Sequence, residues 1–290
     1  MSLESRPIHR AAVAAHPRLP ASIQQAAEIA AYLRQEGLEV QQGMLFDETL
    51  RQNVTSGSFD VLIAVGGDGT MLRAGHLCGP LSIPILGINV GHFGFLIEVQ
   101  HNQWRKIMPR LLHGEYWVEQ RMMLRAEQYR SGALCGRWEV LNEVVVSRGR
   151  NVRPVQLTTH VDGRFLTTYV ADALIASTAT GSTAYALAAG GPILPPELRN
   201  ILLVAVAPHL SVDRALVLAE GSSVSITVRT SHQAVLSPDG QEPIELADGD
   251  QVEARASEHT AQFIRFQDPD YFYRNLTHHM NQNPSTGDHR

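Results

Sequence analysis

Gly66-Gly67-Asp68-Gly69-Thr70 is the stretch of this 290-residue chain whose residue types are best suited to chemistry. Glycines after a strand let main-chain amides approach a phosphate with no Cβ in the way, and a helix beginning there favours negative charge. Asp68 is out of keeping with a simple phosphate cradle, because a carboxylate repels phosphates. Its presence points to proton abstraction, hydroxyl orientation or contact with a metal-bound water. Taken alone, the segment also fits a tight glycine turn closed by an aspartate hydrogen bond. The chain contains neither G-x-x-x-x-G-K-[ST] nor G-x-G-x-x-G, which excludes a Walker A loop and the usual dinucleotide fingerprint.

Three further segments carry polar groups in suggestive places. Gly87-Ile88-Asn89-Val90-Gly91-His92-Phe93-Gly94-Phe95 ends a second apolar run and would open into the same crevice, or would pack closely as a glycine loop. Ser177-Thr178-Ala179-Thr180-Gly181-Ser182-Thr183-Ala184-Tyr185 offers many hydroxyl donors with little bulk before a short helical run and Gly190-Gly191-Pro192. That suits a nucleotide, although a serine- and threonine-rich helix start would look the same. Asn142-Glu143 interrupts the strand-like Val140 to Val146, and a polar pair in a buried strand needs partners, from a ligand's ribose hydroxyls or from neighbouring backbone.

Around these segments the first hundred residues alternate strand and helix signals. An apolar run at 11–15 is followed by Ser22-Ile23-Gln24-Gln25, an S-x-x-Q capping box that predicts a helix start, and Gly37 is placed to end that helix. Val61 to Val65 has no polar member, as expected of a strand buried on both faces of a parallel sheet, and Ile83 to Ile88 is a second such run. Beyond about residue 115 the pattern turns to alternation, with Asp162-Gly163, Ser131-Gly132 and Asp239-Gly240 as turn pairs. The expected architecture is an N-terminal α/β domain with a doubly wound, mostly parallel sheet (1–98), a β-rich domain (99–267) and a C-terminal segment (268–290). That segment is expected to pack its aromatics Tyr271, Phe272 and Tyr273 back on the first domain and to end in a mobile polar tail.

Composition excludes several functions. Net charge is −5, so binding of nucleic acid through overall charge is not expected. The two cysteines, Cys78 and Cys135, lack metal-ligand or disulfide-framework spacing and fit the reducing cytoplasm. No apolar run is long enough for a membrane span, and no leader pattern opens the chain. Of 24 basic residues all but Lys106 are arginine, which leaves little room for Schiff-base or P-loop lysine chemistry.

Taken together, GGDGT with Met71-Leu72-Arg73, Asn142-Glu143, Asp172 ahead of Ser177-Thr178, Thr180 to Tyr185 with its GGP ending, and Asp239-Gly240-Gln241 resemble the bacterial NAD kinase family over about residues 60–275. GGDG-type loops also occur in lipid and sugar kinases; the TGSTAY block and the Asn-Glu pair are more specific. The resemblance implies transfer of the γ-phosphoryl group of ATP, or of polyphosphate in some members, to the 2′-hydroxyl of the adenosine ribose of NAD. It makes Asp68 the catalytic residue, with Gly69 beside it, Gly66, Gly67 and Thr70 in the phosphate loop, and Arg73 near the phosphates. Asn142 and Glu143 become adenosine contacts, Arg153 a phosphate-side arginine, and Asp172 a residue reaching the nicotinamide end, often from a neighbouring subunit. Thr180, Thr183, Ala184, Tyr185 and Ala188 line the adenine and ribose region, and Gln241 completes the set. Magnesium is expected on the triphosphate rather than in an all-protein cage, and the family favours a homodimer or homotetramer. A lipid or sugar kinase and a silent dinucleotide sensor are the alternative readings. Ala179, Ala173 and Val170 depart from the residues usual in the family, proline, glycine and a basic or polar side chain respectively.

Overall fold

The three apolar runs near the N-terminus become adjacent parallel strands. The computed structural model describes residues 7–57, 59–91, 94–209, 213–269, 272, 273 and 276. Two compact units emerge, one of residues 1–120 and 261–290 and one of residues 121–260. The first unit contains, in chain order, β1 (Arg10–Ala15), α1 (Pro20–Gln35), β2 (Glu39–Met44), α2 (Glu48–Ser56), β3 (Val61–Gly66), α3 (Asp68–Cys78), β4 (Ile85–Asn89), β5 (Val99–Gln100) and α4 (Trp104–Leu112). Every residue of β3 and β4 is buried, so both faces of the sheet are covered. The polar β2 lies at the edge, where half-exposed side chains are tolerated.

Strand order in this unit is β2-β1-β3-β4, all pairs parallel, with β5 beside β4. The order reverses between β1 and β3, and ligands of open α/β sheets bind at such a reversal, beyond the carboxyl ends of the strands. The capping box expected at Ser22–Gln25 does not form. The helix starts three residues earlier, with Leu19 as N-cap followed by Pro20, whose fixed φ suits the first helical position. Ser22 is instead buried in the first turn, donating to the Val65 carbonyl at 2.6 Å and accepting the His16 amide at 2.8 Å. Gly37 does end the helix, at φ +89°, with Gly37 N–H on the Arg34 carbonyl and Leu38 N–H on that of Leu33. These are the two hydrogen bonds of a Schellman motif.

The second unit is a β-sandwich. Its strands are β6 (Trp117–Arg130), β7 (Ala133–Val140), β8 (Glu143–Arg148), β9 (Val155–Val161), β10 (Arg164–Ala171), β11 (Ala173–Ser177), β12 (Ile201–Val206), β13 (Leu216–Leu218), β14 (Ser223–Arg229), β15 (Ala234–Pro238), β16 (Ile244–Leu246) and β17 (Gln251–Arg265), with the short helix α5 (Tyr185–Ala188) before β12. One layer runs β10-β9-β14-β17, with β6 beside β17 and β7 beside β6, and the other runs β13-β12-β11-β8-β15-β16. Inward residues such as Val224, Ile226, Val228, Leu174 and Leu236 fill the core between them. The turns at Ser131-Gly132, Asp162-Gly163 and Asp239-Gly240 all have positive φ at both residues, as the sequence signals predict.

The architecture is therefore the one expected, an α/β unit with a mostly parallel sheet and a β-rich unit, but the chain divides elsewhere. Boundaries at 98/99 and 267/268 were expected from texture; the division falls at 120/121 and 260/261, inside β6 and β17. Packing explains it. Trp104, Met108 and Leu111 of α4, with Ile264 of β17, are buried in the same apolar cluster as Val13, Val65 and Ile88, and Phe263 pairs in parallel with Ile85. Phe272 is buried, whereas Tyr271 and the tail from 277 lie outside the described residues.

Candidate active site

The carboxyl end of β3 delivers Gly66 and Gly67 directly into α3. Gly67 is the N-cap and Asp68 the first helical residue, so the carboxylate sits in the turn where exposed main-chain amides favour negative charge. Asp68 is half-buried, with Oδ2 accepting the Phe95 amide at 2.7 Å and Oδ1 the Leu96 amide at 3.2 Å. Gly94 makes this possible, since a Cβ there would collide with the Asp68 carboxylate. Gly66 is similarly tight, because a Cβ would meet the Thr70 side chain. The glycine-spaced loop after β4 is thus part of the site and not a remote packing loop, although His92 and Phe93 lie outside the described residues. Gly69 is exposed, and Arg73, one turn further on, lays its guanidinium over the Phe46 ring at 4.2 Å.

In the second unit Val140 to Val146 is not one continuous strand interrupted by a polar pair, the expectation from the sequence. Leu141 and Asn142 form a bend between β7 and β8, and Glu143 is the first residue of β8. The bend is held by Asp239, whose carboxylate accepts the amides of Leu141 at 2.6 Å, Asn142 at 2.8 Å and Glu143 at 2.8 Å. From the other side, Thr178 Oγ1 donates to the Leu141 carbonyl at 2.6 Å, while Ser177 Oγ and Thr178 N–H donate to that of Asn142. Gly181 closes over the same carbonyl, where a Cβ would strike it. The Asp239 carboxylate, the Ser177 hydroxyl and the Thr178 and Asp239 amides therefore satisfy the main chain of the pair. Glu143 is buried, its Oε2 has no hydrogen-bond partner among the described residues, and burial together with the nearby Asp239 pushes its carboxyl up to about 8.

Thr180 to Tyr185 follow Ser177 and Thr178 at this bend, whereas Asp172 and Arg153 lie toward the other end of β8, where Ala173 pairs with Ser147. Thr180 is buried and accepts Arg121 Nη1 at 3.2 Å, Thr183 Oγ1 donates to the Thr180 carbonyl, and Ala184 is half-buried. Tyr185 and Ala188 are exposed on α5. Asp172 pairs with Arg148 Nε at 3.0 Å within the same chain. Arg153 is exposed on the loop after β8, and Gln241 is exposed in the turn after Asp239. The sequence reading missed the roles of Gly94, the Phe95 and Leu96 amides, Asp239 as an anchor, and Arg121. Of these, Asp239 left a signal through its turn pair, and Gly94 and Phe95 through the glycine-spaced loop after β4. Among the described residues, no cluster of three or more His, Cys, Asp or Glu side chains could hold a metal, and no helix is long and apolar enough to cross a membrane.

Comparison with known proteins accords with this geometry. Residues 39–116 match the model of the ATP-NAD kinase N-terminal domain and residues 141–266 that of the ATP-NAD kinase C-terminal domain. The chain is 39% identical over 269 residues to the NAD kinase of Chloroflexus aggregans, covering 93% of this chain and 97% of that protein. The chain belongs to the NAD kinase family. A crystal structure of an NAD kinase from Archaeoglobus fulgidus in complex with ATP aligns with a TM-score of 0.74 at 26% identity, over 94% of this chain and 99% of that one. Yeast NADH kinase complexed with NADH shares the fold, with a TM-score of 0.85 at 22% identity over 96% and 89% of the two chains.

Within that family, the three departures meet well-defined surroundings. Ala179 is buried at φ −59°, an angle proline would also adopt, and its carbonyl accepts the Ser182 hydroxyl at 2.6 Å. Ala173 is buried at the start of β11, where it faces Ser147 and Val206. Val170 is half-buried, with its carbonyl accepting the His209 amide.

Proposed function

We propose that this chain transfers the γ-phosphoryl group of ATP to the 2′-hydroxyl of the adenosine ribose of NAD, producing NADP. The observation that carries this reading is the seat of Asp68, at the carboxyl end of β3 where strand order reverses, with its carboxylate held by two main-chain amides. A side chain so held cannot swing away from a substrate hydroxyl. Family membership supplies the substrate class, and both halves of the family's sequence model are matched.

A free aspartate has a pKa near 3.9, far below that of a ribose hydroxyl, so prior removal of the proton is ruled out. Phosphoryl transfer proceeds through a loose transition state in which positioning and charge stabilisation dominate. Asp68 orients the hydroxyl and accepts its proton late, as the bond to phosphorus forms and the bond to the departing ADP oxygen breaks. Gly66, Gly67, Gly69 and Thr70 present the phosphate loop, and Arg73 lies one turn along the same helix. Asn142 and Glu143 are assigned to the adenosine. A buried, mostly protonated Glu143 with a free oxygen can both donate to and accept from sugar hydroxyls. Thr180, Thr183, Ala184, Tyr185 and Ala188 are assigned to the adenine and ribose surroundings, Arg153 to the phosphates, Asp172 to the nicotinamide end and Gln241 to the periphery.

The donor oxygens would carry a divalent cation such as magnesium, which neutralises charge on the triphosphate. We also assign the chain to the cytoplasm and to a homodimer or homotetramer. The free thiols of the buried Cys78 and exposed Cys135 support the first. Purified protein incubated with ATP, magnesium and NAD should yield NADP. Formation of NADP removes the sensor alternative. Phosphorylation of a long-chain diol or of fructose 6-phosphate in its place would restore the lipid- or sugar-kinase alternative.

A further inference from the structure

We propose that Arg265, held by Glu119, is a positioning residue for Asp68. This rests on the assignment of Asp68 to the chemical step. All the groups concerned lie in the first unit. Arg265, at the end of β17, is buried, and so is Glu119 beside it. The guanidinium meets a carboxylate, a carbonyl and, at 5.3 Å, the Phe263 ring. Its Nε and Nη2 meet Glu119 Oε2 at 2.8 and 2.7 Å, and its Nη1 donates to the carbonyl of Leu96 at 2.8 Å. Leu96 is the residue whose own amide donates to Asp68.

Leu96 is therefore pinned from both sides, with its amide on Asp68 and its carbonyl on Arg265. A second clamp acts two residues later, where Glu98 Oε1 accepts the Phe266 amide. Segment 94–98 is thus tied at two points to the end of β17, and the amides of Phe95 and Leu96 are delivered to the carboxylate from a fixed base. Burying a charged pair is a poor way to gain stability, since apolar residues of similar volume commonly do as well or better. What apolar residues cannot do is hold the Leu96 carbonyl. The guanidinium, with its rigid fork of donors, can grip a carboxylate and a carbonyl together.

The experiment replaces the pair with apolar residues, Arg265→Met with Glu119→Leu, in the full-length chain. Four readouts follow: thermal midpoint, KM for NAD, KM for ATP and kcat. The expected result is a midpoint within a few degrees of the parent, both KM values within about twofold, and a kcat at least tenfold lower. Arg265→Lys keeps a positive partner for Glu119 but cannot reach both groups, and should show the same split if the double substitution fails to fold. A kcat at the parent value, or one that falls only in step with the midpoint, overturns the proposal.

Adding the double substitution to Asp68→Asn separates this proposal from the one beneath it. If Arg265 works through Asp68, kcat should drop by less than twofold further. A further tenfold loss in that background overturns the positioning role. High turnover in Asp68→Asn by itself overturns instead the assignment of Asp68.

Discussion

Each unit holds an aspartate that accepts main-chain amides from a distant segment, yet the two are placed to opposite effect. Asp68 lies in the first turn of a helix, half-buried, and takes the Phe95 and Leu96 amides. Asp239 lies in a hairpin turn at φ +46° and takes the amides of Leu141, Asn142 and Glu143. Asp239 uses its carboxylate to shape a bend and, next to the larger effect of burial, adds to the raised proton affinity of Glu143. Asp68 is itself what the neighbouring loop holds in place. The same hydrogen-bond pattern therefore fixes a main-chain bend in one unit and a carboxylate in the other.

Removing the reactive group should have the largest effect. Asp68→Asn keeps the shape and loses the base, and its kcat should fall by about 10²–10⁴-fold while NAD still binds. Retained turnover would erase the contrast between the two aspartates. Asp239→Ala should next cost about 2–4 kcal/mol in chemical denaturation, because three amides lose their acceptor and alanine is strained at positive φ. It should act on KM for NAD more than on kcat, and the reverse pattern would make Asp239 part of the chemistry.

Replacing Asn142 and Glu143 together by alanine should raise KM for NAD at least tenfold with a smaller change in the KM for ATP, measured in the same coupled assay. Equal constants for both would reduce the bend to a structural feature. The smallest effect concerns Glu143→Gln. The native carboxyl, pushed up to about 8, still holds a proton that the unfolded chain sheds near the usual carboxylate range, so stability falls as pH rises through that window. Glutamine removes this loss, and its unfolding midpoint should change less between pH 5 and 8 than that of the parent. An identical pH profile in the variant would place Glu143 in contact with water or with a further partner.

Much of this was legible in the residues themselves. Val61 to Val65 could only be a fully covered strand, Gly37 a helix end, and Asp162-Gly163 a hairpin, because burial period and backbone stereochemistry act over a few positions. Asp68 stood out for the same reason, as a carboxylate where glycines prepare for phosphate. The Ser22 capping box failed because Pro20 and the Val65 carbonyl, 43 residues away, offered better terms for the helix start and for the serine hydroxyl.

What tertiary structure alone decided lies in contacts between segments far apart in the chain. No local pattern shows that α4 belongs to the first core, that Asp239 reaches back to Asn142, or that Arg265 supports the loop that holds Asp68. The residue types at a site follow from chemistry that each short stretch must be able to perform. Their exact mutual placement follows from hydrogen bonds and packing that exist only once distant strands have met.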